Sequence, residues 1–173
     1  KTQQITGILE RLYAKYNHRR LIKPDPLQYV YKYSNRADME IVGLLSALLA
    51  YGRVQQIEKK LAELFSCMQD RPFEFVRDFD EQDRAKLKGF KHRFTTGDDI
   101  SDLLVLLKAV LDQHGTIEKF FVQGYKSSDE NIVPAMSQFC DSLLNIYTEK
   151  FGRAPGRGLK HLLASPVGGS ACK

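Results

Sequence analysis

Cysteine is scarce in this sequence. Its 173 residues include three, Cys67, Cys140 and Cys172, an odd number, widely spaced and without a C-x-x-C pair. That argues against a disulfide framework and against a cysteine zinc site, and points to a reducing, cytoplasmic compartment. His18, His92, His114 and His161 share no ligand spacing with the cysteines, so no metal is expected and no cofactor is implied. Long apolar runs are missing as well: Ile41 to Tyr51, the longest, has 11 residues, where a membrane span needs about 20. The first segment is amphipathic rather than a continuous apolar block, so no cleavable signal peptide is expected. Neither a P-loop nor a GxSxG elbow occurs.

Acidic residues stop at Glu149. From there to the end the chain carries Lys150, Arg153, Arg157, Lys160 and Lys173 and not one Asp or Glu over 24 residues. A second basic cluster runs through Arg84, Lys86, Lys88, Lys91, His92 and Arg93, and a third is His18-Arg19-Arg20 with Lys23. Each alone reads as a solvated face. Together, with a net charge of +5 and a pI near 9.1, they tilt the reading towards a phosphate-bearing partner.

Apolar residues recur with a helical period in nearly every segment, and no segment alternates as a strand. Ile5, Ile8, Leu9, Leu12 and Tyr16 form one stripe. Asp25-Pro26 starts a short helix. Asp38 is expected to open "DMEIVGLLSALLAYG", apolar nearly all round and so buried, ending at Gly52; Leu44, Leu45, Leu48 and Leu49 should be inaccessible. The stripe Ile57, Leu61, Leu64, Phe65 and Met68 follows. Pro72 to Phe79 and Asp80 to Lys88 read as two short helices. Thr95-Thr96-Gly97 reads as a loop, with Asp98 or Asp99 capping "DISDLLVLLKAVLDQH". Thr116 starts a short helix, and Pro134 stands in the first turn of another. "GRAPGRG" is then a basic loop before "LKHLLA". The fold expected is all-α, a multi-helix orthogonal bundle spanning 1–173 as a single domain.

The end of the chain carries the sharpest motif. A short helix, "GLKHLLA", is followed by the turn Ser165-Pro166-Val167-Gly168-Gly169 and a second helix start at Ser170, the outline of a helix-hairpin-helix. The first N–H groups of a helix lack partners and favour an anion, and glycine lets a backbone approach it closely. A plain αα-corner is the alternative. Cys67 and Cys140 sit on apolar helix faces and read as core.

Three stretches, "LLSALLAYGR", "FKHRFTTGDDI" and "SPVGGSACK", resemble the N-terminal part of a bacterial family of uncharacterised proteins. That family is remotely similar to the helix-hairpin-helix DNA glycosylases, such as endonuclease III and the 8-oxoguanine DNA glycosylases. The glycosylase hairpin reads roughly G-x-G-x-K; Gly169-Ser170-Ala171-Cys172-Lys173 aligns with it, Ala171 standing for the second glycine. The resemblance implies that Gly168, Gly169 and Ser170 hold a DNA phosphate and that Lys173 is the lysine that attacks a deoxyribose carbon. Tyr51, Gly52 and Arg53 fall where glycosylases place residues that wedge into the duplex, although the usual glutamine is missing and Tyr51 reads equally as core. The glycosylases also need an aspartate beyond the hairpin. The chain ends first, so the resemblance implies an incomplete catalytic unit. Asp98, Asp99, Asp102 and Asp141 read as caps and surface charges.

Three functions stay open on these residues. One is a glycosylase-like repair protein, another a non-enzymatic nucleic-acid binder, the third a helical interaction module. Duplex DNA is the expected partner of the first two, through Arg53, Lys91, Arg93, Arg153, Arg157, Lys160 and Tyr51 as well as the hairpin.

Overall fold

A computed structural model describes residues 2–168, with side chains from residue 4. Among them ten α-helices run in the order α1 (Thr2–Tyr16), α2 (Leu27–Val30), α3 (Arg36–Leu48), α4 (Val54–Cys67), α5 (Pro72–Asp78), α6 (Glu81–Leu87), α7 (Gly97–His114), α8 (Ile117–Val122), α9 (Val133–Phe151) and α10 (Arg157–Leu162). The fold is an all-α bundle. It has one feature the periodicity did not announce: a two-stranded antiparallel ribbon, β1 (Lys91–His92) and β2 (Thr95–Thr96), pairs His92 with Thr95. Strands of two residues are too short for alternation to register.

α7 is the axis. Ile100, Leu103, Leu104, Leu106, Leu107 and Val110 have no exposed surface, and the helix packs against α5, α6, α8, α9 and α10. Burying one such side chain stabilises the fold by about 1.5–3 kcal/mol. α3 supplies Ile41, Val42, Leu45, Leu48 and Leu49; Leu44, expected to be inaccessible, is only half-buried because it stands on the edge of that stripe. Cys140 is buried and Cys67 half-buried. α1 forms as its stripe predicts, yet the stripe stays exposed, from 45% at Leu12 to 59% at Leu9.

Helix starts correct several expectations. α3 begins at Arg36 rather than Asp38, because Asn35 accepts from the Ala37 N–H at 3.0 Å. It ends at Leu48, before Gly52, whose φ of 102° turns the chain into α4. α7 begins at Gly97, capped by Thr96 instead of Asp98 or Asp99; Asp99 is the third residue of a capping box that returns to the Thr96 N–H at 2.8 Å. Gly97 is obligatory there, since a Cβ would overlap the Leu87 carbonyl at the end of α6.

Three other helix starts are satisfied across the fold. Asp38 accepts from the Phe73 N–H at the head of α5 (2.9 Å) and Glu40 from the Ile117 N–H at the head of α8 (3.0 Å). Asp99 accepts from the Leu159 N–H in α10 (3.0 Å). Each carboxylate takes up an otherwise orphaned donor and stands where the helix dipole favours an anion. The bundle is thus tied together at helix ends as well as by its core. No helix among the described residues is long and apolar enough to cross a membrane.

Candidate nucleic-acid interface

The ribbon folds back onto the turn between α3 and α4. Arg93, at its tip, takes a left-handed φ of 54°, uncommon for a residue with a Cβ. Its side chain lies over Gly52, where a Cβ would come within 3.2 Å of Arg93 Cδ. Tyr51 makes the seat. Its hydroxyl donates to the His92 carbonyl (3.1 Å) and shares a hydrogen bond with Thr95 Oγ1 (2.6 Å). In return His92 Nε2 lies 2.8 Å from the Tyr51 carbonyl. A carbonyl only accepts, so that nitrogen carries the proton.

Burial pushes the His92 imidazole below its ordinary pKa; its bond to Tyr51 opposes this, and the Arg93 charge adds to it. His92 is therefore a neutral, structural histidine. Burial likewise raises the Tyr51 phenol, against the Thr95 hydrogen bond and the Arg93 charge, so the ring keeps its proton and donates.

A ring cluster surrounds this seat. Phe94 stacks on Tyr51, with centroids 5.5 Å apart and planes 22° from parallel. His161 of α10 meets both rings edge-on, at 4.8 Å from Tyr51 and 4.4 Å from Phe94. Phe94 nonetheless keeps 45% of its surface exposed. α10 is held beside the ribbon by Asp99, which binds Thr96 at the end of β2 and Leu159 in α10. Gly158 lies against that carboxylate, and a Cβ there would overlap it.

The cations expected to contact phosphate fall into two groups. Arg53, Lys91 and Arg93 are exposed around the Tyr51 turn and the ribbon, and Arg157 and Lys160 are exposed on the helix that carries His161. Among the described residues none of these five forms an ion pair. Arg153 is differently placed: it lies 4.0 Å from Asp102 and over the Tyr147 ring at 5.8 Å. Asp102 itself is not the surface charge expected. It is 9% exposed and accepts from Arg84 at 3.0 Å, joining α6 to α7. Asp99, expected to be a cap or surface charge, does more than cap its own helix.

Tyr51 is half-buried, packs against the core and carries the ribbon through its hydroxyl. Gly168 closes a turn at Pro166–Gly168, is exposed, and has open space where a Cβ would stand. Gly169, Ser170 and Lys173 lie outside the described residues. Sequence reading did not single out Phe94 or His161; the signal available was the aromatic between two basic residues and two threonines in "KHRFTT". Among the described residues no three His, Cys, Asp or Glu side chains are grouped to hold a metal ion.

A family model for a protein of unknown function, DUF2400, matches residues 25–173. The chain belongs to that family. The match takes in the Tyr51 turn, the ribbon and α10, and leaves α1 outside it. No curated protein and no solved structure matches.

Proposed function

We propose that this protein binds nucleic acid, duplex DNA first of all, through the face formed by the Tyr51 turn, the β1–β2 ribbon and α10. The observation that carries the reading is the seating of Arg93 over Gly52, which brings the ribbon bearing Lys91 and Arg93 onto the turn that bears Arg53. Cations without a protein partner release counterions when they meet phosphate, and that release is the main sequence-independent source of affinity. α10 adds Arg157 and Lys160 without any acid of its own. The finer reading, a relative of the base-excision glycosylases, rests on the sequence resemblance and on Lys173, and belongs to the same proposal.

The test is titration of a labelled duplex across a salt series. Log affinity should fall linearly with log salt, and the triple variant Lys91→Ala, Arg93→Gln, Lys160→Ala should lower the slope by up to about 0.9 for each phosphate no longer neutralised. No binding at low salt, or a slope that the triple variant leaves unchanged, would remove the reading in favour of an interaction module.

A further inference from the structure

We infer that Phe94 is a stacking platform for an unpaired base, so that the preferred ligand of this face is nucleic acid carrying an unpaired nucleotide rather than a continuous duplex. The inference rests on the nucleic-acid reading above and names its ligand more narrowly.

Phe94 stands at the tip of a ribbon and keeps nearly half of its surface in contact with solvent, although an apolar ring on a turn gains nothing by exposure. It is not loose. Tyr51 backs it in a near-parallel stack and His161 abuts it edge-on. Tyr51 is fixed in turn by bonds from its hydroxyl to His92 and Thr95, the residues that flank the tip. A ring held from behind and from the side, but open outward, is pre-organised to receive a flat partner, because little side-chain freedom remains to be lost on binding.

The surroundings choose the partner. Arg93 precedes the ring in sequence, Lys91 stands on the same ribbon, and Arg53 follows the Gly52 that Arg93 covers; all three are exposed and form no ion pair among the described residues. Aromatic faces beside a cationic track are how proteins hold unpaired nucleotides: the cations take the phosphates and the ring takes the base. Inside a duplex both faces of a base are already covered by its neighbours, so a single exposed ring has nothing to stack on unless a base is unpaired. A purely apolar protein partner would leave the three cations unsatisfied.

The probes are a fluorescein-labelled duplex, the same duplex with one unpaired adenine, and the corresponding single strand, titrated at one fixed salt concentration. The wild-type chain should bind the probe with the unpaired base about 5- to 150-fold more tightly than the full duplex, the range that one base–aromatic stack supplies. Phe94→Ala should abolish that ratio, whereas Phe94→Tyr should preserve it. With 2-aminopurine at the unpaired position, fluorescence should be quenched by the wild-type chain and not by Phe94→Ala. Equal affinity for all probes, or a preference that survives Phe94→Ala, overturns this inference while leaving the nucleic-acid reading standing. No binding to any probe overturns both.

Discussion

The N–H of Leu159 donates to Asp99 Oδ1 at 3.0 Å, across 60 positions of sequence, while the other oxygen of the same carboxylate closes the capping box with Thr96. One side chain therefore sets the start of the central helix α7 and the position of α10.

Gly158 exists for that carboxylate. Placing a Cβ there forces Asp99 to move, and Asp99 cannot move without giving up a cap on one of two helices. Gly158→Ala should destabilise the chain by about 1–3 kcal/mol, read as a lower urea midpoint at unchanged slope. In the Asp99→Ala background the same substitution should cost much less, because the clash and the caps are then already gone. Full additivity of the two changes would show that Gly158 acts elsewhere.

Burial separates two leucines that look alike in the sequence. Leu45 on α3 has no exposed surface, and Leu9 on α1 is 59% exposed. Leu45→Ala should cost about 2–5 kcal/mol, while Leu9→Ala should stay within about 0.5 kcal/mol. Denaturation of the two single variants decides it; a large drop in stability from Leu9→Ala would mean that α1 packs on the bundle.

Helix existence was legible because apolar period and turn residues act within a few positions, and these gave α4, α5, α6 and α9 closely. Boundaries set by distant partners were not. Asp38, Glu40 and Asp99 cap helices 35, 77 and 60 positions away, and nothing local marks a carboxylate for such a task. The ribbon escaped for a different reason: two residues per strand leave no period to detect. At the candidate interface, charge was visible and grouping was not. Lys91, Arg93 and Arg53 could be named from sequence, but only the fold shows that Arg53 joins the first two and that Arg153 is taken up by Asp102 and Tyr147.

His92 gives the protein a pH response with a definite sign. Its folded pKa lies below the ordinary histidine value near 6.5, chiefly through burial. Between the lowered and the ordinary value the unfolded chain binds more protons, so stability rises with pH there. The stabilising contribution is present above about pH 6.5 and is lost as pH falls below it. Melting temperature should therefore drop from pH 7.5 to pH 5, and His92→Gln should flatten that drop while lowering the melting temperature at pH 7.5. A profile that His92→Gln leaves unchanged would assign the effect to other groups.

Arg153 and Arg93 provide the closest comparison of the two kinds of cation. Both are basic residues named from sequence, yet Arg153 stands over Tyr147 and near Asp102, whereas Arg93 lies over Gly52 and forms no ion pair among the described residues. Removing Arg153 takes a cation from an aromatic face and from a largely buried carboxylate, so Arg153→Ala should lower stability by about 0.5–1 kcal/mol. Because that charge is already partly neutralised, the salt slope of DNA binding should hardly change. Arg93→Gln should do the opposite: the unfolding midpoint stays nearly fixed, since the substituted side chain still covers Gly52, and the slope falls by up to about 0.9. Urea denaturation and salt-dependent titration of the same two proteins give four numbers. Were Arg153→Ala to lower the slope as much as Arg93→Gln, the binding face would have to extend over α9, and the ribbon would no longer be its centre.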